Sequence, residues 1–160
     1  MSKQPDSDPE SCLDTAFRYL SYRPRSEFEL YSRLTRRGFS PHTVRATLEK
    51  LREQGLVDDP SFARFWSSNR QAFRPRSRAM LRSELRRKGV SANIIAEVVQ
   101  EVDEAASARR AGRGKAQRLT TLDYHAFRRK LGTFLRQRGF SYEVAQQTID
   151  DLWQERDRDA

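Results

Sequence analysis

Apolar positions recur with a helical period along this chain. After a shared serine at Ser40, Ser91 and Ser141, apolar residues follow at four, eight and eleven positions. They are Val44, Leu48 and Leu51, then Ile95, Val99 and Val102, then Ala145, Ile149 and Leu152. That spacing draws one stripe down one face of a helix. A second pattern precedes each stripe: LYSRLTRRGFS from Leu30, LRSELRRKGVS from Leu81 and LGTFLRQRGFS from Leu131. Each is L-x3-L-x3-G-[FV]-S, with its glycine at Gly38, Gly89 or Gly139, so the unit recurs after 51 and then 50 residues. RPRS recurs at the same 51-residue offset, at Arg23–Ser26 and Arg74–Ser77. Self-similarity at such a period marks stacked helical units, each too small to bury its apolar face alone. No alternating run of β-branched residues predicts a strand.

The punctuation divides each unit into three helices. The first is expected over Ser11–Tyr22, with Ala16, Phe17 and Leu20 inward and Pro24 ending it. The second spans Ser26–Arg37, opened by the capping box of Ser26 and Glu29 and stopped by Gly38. Ser40 caps the third, with Pro41 at its first position, and Gly55 ends it. In the second unit Asp59 is the expected cap before Pro60, and Phe62, Phe65 and Trp66 form an aromatic core face. Its second helix runs near Arg76–Lys88. Ala92 to Ala111 holds no Gly or Pro, so the third helix should run nearly into the next unit. Gly112 and Gly114 should interrupt the helix that follows, at about 1 kcal/mol each relative to Ala. Tyr124–Gln137 and Tyr142–Gln154 complete the third unit. The fold class is all-α: three tandem three-helix, helix-turn-helix-like repeats over 11–59, 60–104 and 105–156, forming an elongated curved body behind a disordered acidic tail at 1–10. In the shared position four residues before the stopping glycine, Leu34, Leu85 and Leu135 are expected in the core.

Composition adds a partner class. Hydrophobic residues make up 36% and charged residues 33% of the 160, with a net charge of +9. Arg far outnumbers Lys, and its planar fork matches phosphate and carboxylate. Such a surface points to nucleic acid or to a partner lying on it. Cys12 stands alone, so no internal disulfide forms, which fits a reducing cytoplasm. The chain holds no membrane-length apolar run and opens on no apolar signal segment. It is expected to be a cytoplasmic monomer without a membrane partner.

Catalytic chemistry is thin. His42 and His125 lie far apart in sequence, outside any metal spacing, and AGRGKAQ at Ala111–Gln117 is too short for a phosphate loop and follows no strand. The pairs Asp58–Asp59 and Asp150–Asp151 sit beside helix signals, where capping or solvation accounts for them. No catalytic residue, metal or cofactor is expected.

Charge is polarised within each repeat. The second helices carry Arg33, Arg36 and Arg37, then Arg82, Arg86, Arg87 and Lys88, then Arg128, Arg129, Lys130, Arg136 and Arg138. The third helices carry Glu49 and Glu53, then Glu97, Glu101, Asp103 and Glu104, then Asp150, Asp151 and Glu155. Basic residues late in a helix complement its dipole, but that alone does not explain recurrence in three units. The basic clusters are the candidate surface for a partner or nucleic acid.

RPRSEFEL at Arg23–Leu30, LTRRGF at Leu34–Phe39, GLVDDPSFARFWSSNR at Gly55–Arg70, ELRRKGV at Glu84–Val90 and FLRQRGFS at Phe134–Ser141 together resemble the RecX family, bacterial regulators of the RecA recombinase. The likeness covers nearly all of the chain beyond the acidic tail and rests on the order and spacing of these pieces. It implies three helix-turn-helix-like modules that bind the RecA filament along its groove. It further implies inhibition of ATP hydrolysis, strand exchange and co-protease function without enzymatic activity. Single-stranded DNA would be met directly or through the filament. The alternative is a DNA-binding transcription regulator built from tri-helical modules, whose recognition helices would enter the major groove. The acidic third helices argue against that insertion.

Overall fold

The computed structural model describes residues 5–159. Among them are nine helices and no strand: α1 (Pro9–Tyr22), α2 (Glu27–Arg37), α3 (Pro41–Glu53), α4 (Asp59–Phe73), α5 (Arg78–Arg87), α6 (Ala92–Gln100), α7 (Glu104–Ala116), α8 (Tyr124–Gln137) and α9 (Tyr142–Asp159). They follow the expected three-by-three order. The chain divides into two compact units. The first takes residues up to Trp66 together with Leu85–Ile95, and the second takes Ser67–Glu84 and Ala96 onward.

In the first unit α1, α2 and α3 pack on one another around Cys12, Ala16, Leu30, Leu34, Val44, Leu48 and Leu51. In the second unit α7, α8 and α9 do the same around Ala108, Phe127, Leu131, Leu135, Ala145, Ile149 and Leu152. The middle three helices contribute buried residues to both units: Phe62, Leu85 and Ile95 to the first, Leu81, Val99 and Val102 to the second. All nine positions of the third-helix stripe are buried, and Leu34, Leu85 and Leu135 are each 0% exposed.

Local chemistry sets the helix ends. Ser26 Oγ accepts the Glu29 amide, and the Glu29 carboxylate accepts the Ser26 amide, so the expected capping box is formed. Ser40 caps α3. Four departures have physical causes. First, residues 1–4 of the expected disordered tail lie outside the described residues, but Asp6 forms an isolated bridge with Phe39, and α1 already begins at Pro9. The Asp6 amide donates to Gly38, the Ser40 amide donates to Asp6, and the Asp8 carboxylate caps α1. Second, Asp58 rather than Asp59 receives the Ser61 amide at the start of α4, which leaves the Asp59 carboxylate to accept the Glu27 amide. Third, α6 and α7 are separate. The Asp103 side chain accepts the Ala106 amide and so starts a new helix, while Arg78 ties down the Val102 carbonyl between them. Fourth, α7 runs unbroken through Gly112 and Gly114. Gly112 lies at a close approach, where a Cβ would stand 2.8 Å from Leu152 Cδ1, while Gly114 faces open space. Phe17 was expected inward but is 39% exposed; Cys12 and Ala16 fill the α1 face instead.

Candidate functional site

The apolar stripe of each second helix turns its charged residues outward. On α2, Leu30 and Leu34 are buried and Arg33, Arg36 and Arg37 are exposed. Arg33 lies over the Tyr19 ring at 5.1 Å, and Arg36 Nε donates to the Ser32 carbonyl at 3.2 Å. On α5, Arg86 and Arg87 are exposed and Arg82 is half-buried. Lys88 stands apart from this group. It lies one residue beyond α5, half-buried, with Nζ 3.2 Å from the Glu29 carboxylate and 4.9 Å from the Trp66 ring centre. On α8, Arg128, Arg129, Lys130 and Arg136 are all exposed.

The α8 arginines meet a groove of about 230 Å³ against α9, lined by His125, Arg129, Gly132, Arg136, Tyr142 and Gln146 among others. Arg128 is held at its edge, donating to Gln146 Oε1 at 2.8 Å and to the Tyr142 hydroxyl at 2.7 Å. Arg129 and Arg136 line the same groove, so it presents several cations on one wall.

The acidic third-helix residues are less available than their sequence positions predict. Asp150 accepts from the Tyr124 hydroxyl and from Gln146 Nε2, both at 2.9 Å. Glu155 pairs with Arg113 at 3.1 Å. Asp103 caps α7, and Glu104 accepts the Arg78 amide. Asp103, Glu104, Asp150 and Glu155 are thus used within the protein, while Glu49, Glu53, Glu97 and Glu101 are exposed.

RPRS marks the repeat, the helix stop and the cap in the sequence, and the structure adds a long-range contact. Ser26 Oγ donates to the Lys88 carbonyl at 2.6 Å. In the second copy, the Ser77 amide donates to the Arg138 carbonyl at 3.2 Å. In both cases the serine that opens a second helix seats on the glycine turn that closes the next repeat's second helix. Gly89 and Gly139 have φ of 73° and 88°, and a Cβ on Gly89 would overlap Phe28 while one on Gly139 would lie 2.5 Å from Ser77 Oγ. Only glycine permits both the backbone angle and the approach. The signal was present in the matched offsets of RPRS and the glycines, but the pairing across one repeat needed the fold.

Around the first of these turns, Glu29 gathers cations. Arg23 lies 2.5 Å, Lys88 3.2 Å and Arg25 4.0 Å from its Oε2. Burial raises the Glu29 pKa, but hydrogen bonds from Arg23 and the Ser26 amide, with the charges of Arg23 and Lys88, outweigh it and hold the carboxyl below its ordinary value. Burial instead pushes Asp59 up, against the lowering effect of the Glu27 amide. Among the described residues, no group of three or more His, Cys, Asp or Glu is placed to hold a metal ion, and no helix is long and apolar enough to cross a membrane.

Three family models match in order: the first, second and third three-helix domains of RecX, at residues 12–51, 58–99 and 101–149. A protein of Prosthecochloris aestuarii named Regulatory protein RecX is 40% identical over 92% of this chain and 97% of its own. One of Chlorobium phaeobacteroides, with the same name, is 36% identical over the same shares. The crystal structure of RecX from Lactobacillus salivarius superposes with a TM-score of 0.74 over 90% of this chain and 96% of that one, at 20% identity. Three consecutive three-helix domains, in the order of the models and at this level of identity over almost the whole length, place the chain in the RecX family.

Proposed function

We propose that this protein is a non-enzymatic regulator of the RecA recombinase, acting in the cytoplasm as a monomer on the recombinase filament. It lowers ATP hydrolysis, strand exchange and co-protease activity by occupying the filament groove. Membership in a family whose relatives carry the name Regulatory protein RecX supports the regulatory role. The observation that carries the mode of action is the outward set of guanidinium groups on α2, α5 and α8. These groups face the filament, where phosphates and acidic protein surface meet Arg forks with charge-assisted hydrogen bonds. Single-stranded DNA is met directly or through the recombinase.

The test is the ATPase rate of a recombinase filament on single-stranded DNA, titrated with this protein. A concentration-dependent fall, weakened by salt as counterion release requires, is expected. A rate unchanged at saturating protein would contradict the proposal, and a promoter regulator would give that result.

A further inference from the structure

A cavity of about 340 Å³ opens in the first unit between α1, the first RPRS and the start of α4, with Phe17, Leu20, Leu56 and Phe62 among its walls. Phe62 is 2% exposed, whereas Phe17 and Leu56, at 39% and 47%, remain in water. Large apolar side chains left exposed together mark a surface that a partner covers. Arg25 lines the same cavity with its side chain only 9% exposed. Among the described residues its guanidinium makes one hydrogen bond, from Nε to the Tyr19 carbonyl at 3.4 Å. It comes no nearer to a carboxylate than 4.0 Å, to Glu29, which Arg23 and Lys88 already engage. Burial, and then the charges of Arg23 and Arg33, hold Arg25 below the ordinary arginine pKa, an effect Glu29 offsets only in part.

The second repeat shows what completes such an arginine. Arg76, the equivalent of Arg25, pairs with Glu84. The first repeat has Arg33 at the position of Glu84, and Arg33 lies over the Tyr19 ring. The walls differ in the same sense. Ser68 and Gln71 stand for Phe17 and Leu20, and Ser107, four residues past the cap Asp103, stands for Phe62, four past Asp58. Ser107 Oγ donates to Gln71. The second repeat thus satisfies its arginine from within, among polar side chains. The first leaves a buried cation short of a carboxylate in an apolar cavity, an arrangement that favours a charge-assisted bond from outside. We propose that this cavity docks an acidic, apolar segment of a protein partner, with a Leu or Phe side chain against Phe17, Leu20 and Phe62 and a neighbouring carboxylate on Arg25. Asp58 also lines the cavity and accepts the Ser61 amide through Oδ1. Its other oxygen suits a peptide N–H, which a free carboxylic acid lacks. The surface is built by α1, the RPRS turn and α4 rather than by the second-helix clusters, so it can fail while the recombinase reading stands.

The measurement is fluorescence anisotropy of a labelled Ser-Glu-Leu-Phe-Glu-Ser peptide with the purified full chain and no recombinase, with circular dichroism as the folding control. The parent should bind it and bind the version with Gln in place of both Glu more weakly. Phe17→Ser copies the second repeat at an exposed position and should weaken binding about tenfold. Arg33→Glu places a carboxylate where Glu84 serves Arg76, and should weaken binding about tenfold by occupying Arg25. Lys50→Glu makes the same change of charge at an exposed position on α3 and should leave binding near the parent's. Absence of peptide binding by the parent would overturn the proposal, as would folded Phe17→Ser and Arg33→Glu variants that bind like the parent. Equal losses for Lys50→Glu and Arg33→Glu would reduce the effect to net charge and overturn the role of Arg25. Phenylpropanoate competing as strongly as the unlabelled peptide would assign the cavity to a small acid and overturn the docking of a protein segment.

Discussion

Gly89 and Gly55 share almost the same backbone angle, with φ of 73° and 71°, but differ in surroundings. A Cβ on Gly55 meets open space, and one on Gly89 overlaps Phe28. Alanine pays about 1–2 kcal/mol for left-handed backbone at either site. The Gly89→Ala variant should therefore lose clearly more stability than Gly55→Ala, and urea midpoints measure the difference directly. Equal losses would mean that the turn does not seat the first helix turn of α2. Gly114 gives the opposite case. It is exposed within α7 and faces open space, so Gly114→Ala should stabilise by about 0.4–1 kcal/mol, read as a higher thermal midpoint. Gly112→Ala should gain less or lose, because its Cβ would press on Leu152. The sequence alone treated both glycines as interruptions; helix propensity cannot tell a glycine needed for close packing from one that is not.

At the scale of elements, the α2 entry couples a helix start to a charge cluster. Glu29 closes the capping box and meets Arg23 and Lys88. Its folded pKa lies below its ordinary value. A depressed acid contributes stability above its unfolded pKa and loses it as pH falls through the folded value. Parent protein and Glu29→Gln should thus differ in urea stability at neutral pH and converge as pH drops below the ordinary carboxylate range. A gap that persisted in acid would assign the effect to packing. The leucines before the stopping glycines belong to the same scale. Leu85→Ala should cost about 2–5 kcal/mol, and reversing the charge of exposed Arg36 far less, by thermal melting.

The helices were legible because their stripes, caps and stopping glycines agree: Ser26, Ser40, Pro41 and Gly38 act as their residue types require. The α6–α7 break was missed because Asp103 capping is a weaker signal than Gly or Pro. The outward arginines followed from periodicity. Lys88 did not, since its partner Glu29 lies 59 positions away in sequence, and no local pattern carries a contact of that range.

For the whole molecule, the central claim is that the basic second helices carry the partner contact. A net charge of +9 could be a solvated surface alone. The distribution argues otherwise, because exposed arginines recur on the second helix of all three repeats. The most direct measurement is inhibition of recombinase ATPase by the Arg82→Ala, Arg86→Ala, Arg87→Ala triple variant at two salt concentrations, with circular dichroism as the folding control. These side chains lie off the buried Leu81 and Leu85 stripe, so the variant should remain helical. It should need a higher concentration for half-inhibition than the parent, with a shallower dependence on salt, since each phosphate contact removed lowers the salt slope by about one. A folded triple variant that inhibits as well as the parent at both salt concentrations would contradict the account.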